Sequence, residues 1–490
     1  MNLIRLNSVK SFLLDNRTVR QTIYKNTLWL IVGMGVNRAL KAVLVIYVAR
    51  MLGATEYGKF AFALAFVGLF SIIYDFGISM MIVREFSREP EQDFSSIISL
   101  RIILGLVAYA VMIIGSLIVT EDVTIRKIMF VLGLFCLIES FATIFYGYFQ
   151  AKQKMEYQTY AETFQTILAL IVGFFILFRM PSGQNLSYGY FVSSAIALAV
   201  LLWFFNRKIF RLNIGRDKAV WRKFLLISWP MALTGLFGTI CTSMDSIMMG
   251  HWNFITETGW YNAAYKLVIV AMLPAGLISG SFFPVLSRFF KESKDKLQSL
   301  YDYHEKIMIS LAIPLVVWSV FFAPRIIYMF YGSSFFPSVL AFQLLMVMVG
   351  FYFISRPLND VLLASNQQKK VFLANFVGAM VNIILNLVLI PRYSLYGAAV
   401  STIATYLTMF LLLFIFSLRP VIIKPLNRNI LCDIIAATVA SLLMGFVISQ
   451  TFVARWNIFV SSSAAMFVYL VAFFCLIKAV KYFDYRYVKN

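Results

Sequence analysis

The stretch Asn375-Phe376-Val377-Gly378-Ala379-Met380-Val381-Asn382-Ile383-Ile384-Leu385-Asn386-Leu387-Val388-Leu389-Ile390-Pro391-Arg392-Tyr393, followed by Tyr396-Gly397-Ala398-Ala399 and Thr402, decides the fold. Val371 to Ile390 carries no charge and is long enough, at about 20 residues per crossing, to span a bilayer as a helix. Working outward, similar apolar runs lie near 27–49, 59–82, 101–119, 128–149, 160–178, 187–205, 224–249 and 260–285. Others lie near 306–323, 335–362, 395–416, 429–449 and 457–477. Hydrophobic residues make up 61% of the 490-residue chain and charged ones 13%, against about 45–50% and 25% in soluble domains. A soluble enzyme is excluded, and the short connections leave no room for an extramembrane catalytic domain. The expectation is an all-α polytopic membrane protein of about 14 transmembrane helices.

The net charge of +21 would suggest nucleic acid in a soluble chain; here it asks which side of the bilayer is basic. With the N-terminus inside, 30 of the 43 Lys and Arg residues fall on inner segments and eight on outer ones. The positive-inside rule then places both termini in the cytoplasm of a multi-pass protein of the cell (inner or cytoplasmic) membrane, with no nucleic-acid partner. Residues 1–26 read as a cytoplasmic tail, because no short apolar core or cleavage site marks a signal peptide. The linker 206–223, with seven basic residues, separates six spans (27–205) from six more (224–416); residues 417–490 add two spans and a cytoplasmic tail. Its charge suits a cytoplasmic loop, and anionic headgroups are a second use for it. Cys136, Cys241, Cys432 and Cys475 sit singly in apolar runs, which gives neither a disulfide framework nor zinc.

An internal repeat supports the division. Thr55-Glu56-Tyr57-Gly58-Lys59-Phe60 follows the first span and Thr256-Glu257-Thr258-Gly259-Trp260-Tyr261 the seventh, an offset of 201 residues. Six spans is an even number, so the copies cross in the same sense, as in the parallel-repeat carriers with a substrate path between halves. Gly53 to Lys59 has P-loop spacing, but Phe60 stands where Ser or Thr must hold magnesium and no strand precedes it. His251 and His304 fall at opposite membrane faces in this topology, which gives no metal or acid–base pair.

The opening stretch resembles the eleventh and twelfth helices of the polysaccharide/oligosaccharide flippases (Wzx-like), a branch of the superfamily that includes lipid II flippases and multidrug and toxic-compound extruders. Tyr57-Gly58, Asp75-Phe76-Gly77, Arg84-Glu85 and Leu363-Ala364-Ser365-Asn366-Gln367-Gln368-Lys369 extend the likeness. The resemblance implies two six-helix lobes in a pseudo-twofold inverted V, plus two C-terminal helices. It implies a monomeric flippase, not an enzyme, that moves a polyprenyl-diphosphate-linked oligosaccharide of O-antigen, capsule or exopolysaccharide type to the outer leaflet by alternating access. An undecaprenyl-diphosphate-type glycolipid, membrane lipids, and a glycan polymerase and chain-length proteins are the implied partners.

Charges inside a bilayer cost several kcal/mol unless they meet a cavity or a partner. Asn37, Arg38 and Lys41 share one side of the first span, with Arg38 roughly 16 Å above its inner end. An arginine fork there suits a diphosphate; an ion pair with Asp75 is the alternative. Lys266 and Arg356 add charge in the second half, where Arg356 has Asp360 one turn away as an alternative partner. Asp245, Asn382, Asn386 and Thr402 form a candidate sodium site, with a proton on Asp245 as the variant; a salt bridge from Asp245 to Lys266 and interhelical bonds by the asparagines oppose it. No other cofactor and no transition metal is implied. Glu139 and Glu162 are secondary candidates for cavity lining or proton coupling. Gly276, Gly280, Gly235 and Gly238 read as close-approach positions, and Pro230, Pro274 and Pro314 as bending points.

Two rival functions use the same span count. A cation-coupled multidrug exporter favours an acidic cavity, against which Arg38, Lys41, Lys266 and Arg356 argue. A membrane glycan polymerase or ligase needs a sizeable outer loop, and the outer loops here are short.

Overall fold

The computed structural model describes residues 18–88, 93–209, 213, 215–418, 423–426, 428–449 and 457–487. The tail before residue 18 and much of the loops after 418 and 449 lie outside them. The described regular elements are all helical, as lipid demands of a backbone that must satisfy its own hydrogen bonds. In chain order they are α1 (Val19–Leu69), α2 (Ser71–Asp75), α3 (Ile78–Arg88), α4 (Phe94–Val119), α5 (Val123–Ala151), α6 (Met155–Arg179) and α7 (Gly183–Lys208). There follow α8 (Lys218–His251), α9 (Ile255–Glu292), α10 (Lys294–Tyr331), α11 (Ser338–Ala364), α12 (Gln368–Leu418), α13 (Arg428–Ser449) and α14 (Ile458–Tyr487).

Two long helices contain joints. In α1 the chain turns at Gly53, whose φ of 71° belongs to the left-handed region. In α12 it turns at Ser394, φ 48°. Each joint separates two crossings, so the fourteen expected spans are all found among the described residues, the second being shared by the end of α1, α2 and α3. That second span is not the continuous helix its apolar run predicts. Phe76 and Gly77 both have positive φ, and the Asp75 carboxylate accepts from the Gly77 backbone N–H at 3.1 Å. A carboxylate capping freed backbone donors can hold a break open inside an apolar run. Gly77 has no room for a side chain either, since a Cβ would lie 2.8 Å from the Ser228 carbonyl.

The chain forms two compact units, Met1–Gly259 and Trp260–Asn490. The first contains α8, so the division falls after that helix and not within the basic linker. The described end of the linker is tied down inside this unit: Trp221 donates to the Ser96 carbonyl at 2.8 Å and the Asp217 N–H to Ser96 Oγ at 3.0 Å. The core nearby is aromatic, with Phe86, Phe94, Phe145, Phe149 and Phe205 nearly inaccessible. Phe94 stacks on Phe205 at 5.8 Å and meets Phe145 edge-on at 5.9 Å.

The two repeat turns meet each other within this first unit. Thr55 Oγ1 lies 2.9 Å from Thr256 Oγ1. A Cβ on Gly58 would come 1.9 Å from the Ile255 carbonyl oxygen, and one on Gly259 would come 2.0 Å from that of Ala54. The pairs Ala54 and Ile255, Thr55 and Thr256, and Gly58 and Gly259 all keep the 201-residue offset. The contact is therefore reciprocal, as two structurally equivalent repeats would make it, and the missing glycine side chains permit it.

Two smaller expectations change. A Cβ added at Gly235, Gly238, Gly276 or Gly280 meets nothing within 4 Å, so these glycines face open space and not a neighbouring helix. Helix α8 bends by 42° between Leu233 and Gly235, at the glycine and not at Pro230.

Candidate functional site

In the first unit, Arg38 and Lys41 stand exposed on α1, and neither has an ion pair or hydrogen bond among the described residues. Asn37 beside them is buried, with neither amide atom partnered among those residues. The alternative pairing of Arg38 with Asp75 is not made. Asp75, expected among the cavity groups, instead pairs with Arg101 at 2.6 Å.

Arg101 is the residue the sequence misplaced. It counts as a loop cation because the apolar run begins there, yet α4 starts at Phe94 and puts it two turns inside the helix. Its side chain is wholly buried. Nη1 donates to the carbonyls of Tyr74 (2.8 Å) and Asp75 (2.6 Å), and Nε to that of Ser140 (3.0 Å). Nη2 reaches Asp75 Oδ1 (2.6 Å), Ser79 Oγ (2.9 Å) and Thr143 Oγ1 (2.7 Å). Every guanidinium nitrogen is engaged, and the set braces the break at Phe76-Gly77. The signal available in the sequence was Asp75 itself, an intramembrane acid in need of a cation.

Glu139 and Glu162 are half-buried and held by glutamines. Gln165 donates to Glu139, Gln158 to Glu162 at 2.7 Å, and Gln150 to Gln158 at 3.0 Å. Glu139 lies within electrostatic range of Lys41 and Glu162. Lys25, counted with the tail, is on α1 and fully buried in an ion pair with Glu156 at 3.1 Å. Outside the spans, burial pushes the Glu85 carboxyl up, but hydrogen bonds from Arg84 and Lys223 outweigh it and hold the group below the usual carboxylate range.

In the second unit, Arg356 is half-buried on α11, with Tyr352 one turn before and Asn359 one turn after on the same stripe. Its guanidinium lies 5.6 Å from the Tyr352 ring centre, and Nε donates weakly to Ser279 Oγ at 3.4 Å. It makes no ion pair with Asp360 among the described residues. Asp360 is buried and accepts from Asn359 at 3.3 Å, with Oδ2 unpartnered among those residues. Lys266 is half-buried, with no ion pair among the described residues of its unit. Asn386 donates to Asn382 at 3.1 Å, both fully buried, so these two bond to each other along one helix. Thr402 Oγ1 donates to the Ala398 carbonyl at 2.9 Å and lies 3.3 Å from the Tyr261 hydroxyl. Asp245 is buried on α8 in the first unit.

Sequence reasoning set His304 aside, but the structure buries it completely. A cavity of about 350 Å³ between α10, α11, α12 and α13 is walled by apolar groups such as Ile309, Val316, Phe351, Phe410 and Ile434. Among the described residues, Glu305 is the one charged residue on its wall. Among the described residues no group of three His, Cys, Asp or Glu could hold a metal ion.

Residues 23–290 match the family model described as polysaccharide biosynthesis protein. The capsular polysaccharide biosynthesis protein CapF of Staphylococcus aureus is 22% identical over 396 residues, covering 79% of this chain and 97% of the relative. The probable low-salt glycan biosynthesis flippase Agl15 of Haloferax volcanii is 22% identical over 372 residues, covering 74% and 76%. Among solved structures, the lipid II flippase MurJ in an inward closed conformation aligns with TM-score 0.74 at 16% identity, over 94% of this chain and 99% of that one. An inward-facing multidrug MATE transporter aligns with TM-score 0.65 at 15% identity, over 79% and 97%. The fold is thus that of a multi-pass membrane transporter.

Proposed function

The chain belongs to the polysaccharide biosynthesis protein family, and from that premise we propose that it is a flippase for a polyprenyl-diphosphate-linked oligosaccharide. The carrying observation is Arg38 and Lys41, two exposed cations within a membrane span that make no ion pair among the described residues. A diphosphate on a lipid brings two or more negative charges into a dry setting, and charge-assisted bonds from an arginine fork offset its lost hydration. Asn37, buried with free donors and acceptor, offers further bonds to phosphate or sugar. Arg356 and Lys266 supply equivalent cations in the second unit, so the anion has a partner on either repeat as access alternates. The same cations disfavour a cationic drug as cargo.

The orientation follows the basic loops, with both termini in the cytoplasm of the cell membrane and transport outward. A sodium ion or proton is the coupling ion in this proposal, with Asp245 as the carboxylate that takes it. Changing Arg38→Ala should abolish export of the glycan while the protein remains folded in the membrane. Normal surface glycan in that variant would overturn the diphosphate role.

A further inference from the structure

His304 lies roughly 15 Å along α10 from Lys294. Its ring stacks on Phe282 of α9, with centroids 4.3 Å apart and planes 12° apart. Neither ring nitrogen has a hydrogen-bond partner among the described residues. A phenylalanine would fill the same stack without leaving buried polar atoms bare.

The charged surroundings are simple. From α11, Arg356 meets the same turn of α9 as the ring does, since its Nε reaches Ser279, three residues before Phe282, and Asp360 lies one turn further along α11. Ser279 Oγ accepts from Arg356 Nε at 3.4 Å, and Asp360 lies within electrostatic range of Arg356. On α10 itself, Tyr301 and Glu305 belong to the wall of the apolar cavity. From α13, Asp433 is taken by Lys306 at 2.7 Å. An imidazolium and the Arg356 guanidinium would repel each other at this depth. A phosphate on Arg356 reverses the sign of the field at the ring.

We propose that His304 is a proton-binding site linked to Arg356: the ring is neutral while Arg356 is bare and takes one proton from water when a phosphate or diphosphate anion binds there. This rests on Arg356 as a diphosphate partner and deepens it, because it couples substrate loading in the second unit to proton uptake. Linkage is reciprocal, so protonation tightens anion binding by the same factor.

The chain has two histidines, which makes ¹⁵N NMR of histidine-labelled protein in nanodiscs direct; His304→Gln assigns the signal. Farnesyl diphosphate and inorganic pyrophosphate are the probes, with their binding measured by calorimetry on the same samples. At neutral pH, binding of either should convert His304 from imidazole to imidazolium. Conversion by both supports a site for the diphosphate itself; conversion by farnesyl diphosphate alone supports a lipid-linked ligand. In Arg356→Ala the ring should protonate at higher pH without ligand, and the probes should no longer affect it. Affinity for farnesyl diphosphate should rise as pH falls, by about tenfold per unit at most, through a component lost in His304→Gln. A ring that stays neutral while the probe binds overturns the inference and leaves the flippase proposal standing. No binding of either probe to the unmodified protein overturns the role of Arg356 and this inference together.

Discussion

Arg101 and Arg38 are both arginines on helices of the first unit, and their surroundings are opposites. Arg101 is fully buried, paired with Asp75 and bonded through all its nitrogens. Arg38 is exposed on its helix and bonded to nothing described. A cation whose donors are all used has nothing left for a ligand, so Arg101 holds a broken helix together. A cation with free donors in the middle of a span is affordable only where water or an anion reaches it. Charge alone therefore does not mark the site in this basic chain; unused bonding capacity does.

Breaking the saturated member should have the largest effect. Arg101→Ala takes away the cation of Asp75 and the donors to the Tyr74, Asp75 and Ser140 carbonyls, and should cost about 3–5 kcal/mol, seen as lost expression or a collapsed thermal transition in detergent. Arg38→Ala should leave the transition within about 0.5 kcal/mol of the parent while removing transport. If both variants unfold alike, the contrast between structural and available arginines fails.

A second test concerns the reciprocal turns that align the repeats. Gly259→Val forces a side chain into the Ala54 carbonyl and should destabilise the first unit by about 1–3 kcal/mol, with Gly58→Val behaving the same way by symmetry. In a background without the four native cysteines, Thr55→Cys with Thr256→Cys should crosslink on mild oxidation and arrest transport, which reductant restores. Transport unimpaired by the crosslink would show that the turns need not separate.

The smallest effect is expected at Glu85. Glu85, held below the usual carboxylate range by Arg84 and Lys223, contributes stability above its unfolded value near 4.5. That contribution disappears as pH falls through the lower folded value. With both partners half exposed, Lys223→Ala should cost about 0.5–1 kcal/mol at neutral pH and nothing once the carboxyl is protonated, checked by thermal transitions against pH.

The spans were legible because length and apolarity are what a bilayer selects, and the 201-residue repeat was legible because its turn keeps Thr, Glu and Gly in place. Less was legible where hydropathy is blind to helix ends. Helix α4 begins seven residues before its apolar run, which turned Arg101 into a loop residue. Helix α10 begins twelve residues before its own, and hydropathy gives no sign that His304 is buried against Phe282. The break in the second span was hidden because Asp75-Phe76-Gly77 sits in a run that stays apolar on both sides. Of the candidate residues, Asp75 is paired with Arg101, whereas Arg38 and Lys41 make no ion pair among the described residues.

The flippase account is tested most directly by leaflet transfer in proteoliposomes loaded with a fluorescent polyprenyl-diphosphate-linked sugar. The parent protein should move the probe across the bilayer, and Arg38→Ala should slow it roughly tenfold or more, as loss of a charge-assisted bond to phosphate requires, with equal amounts of folded protein incorporated. Equal transfer by the two proteins, or transfer of the neutral polyprenol as readily as the diphosphate, would contradict it.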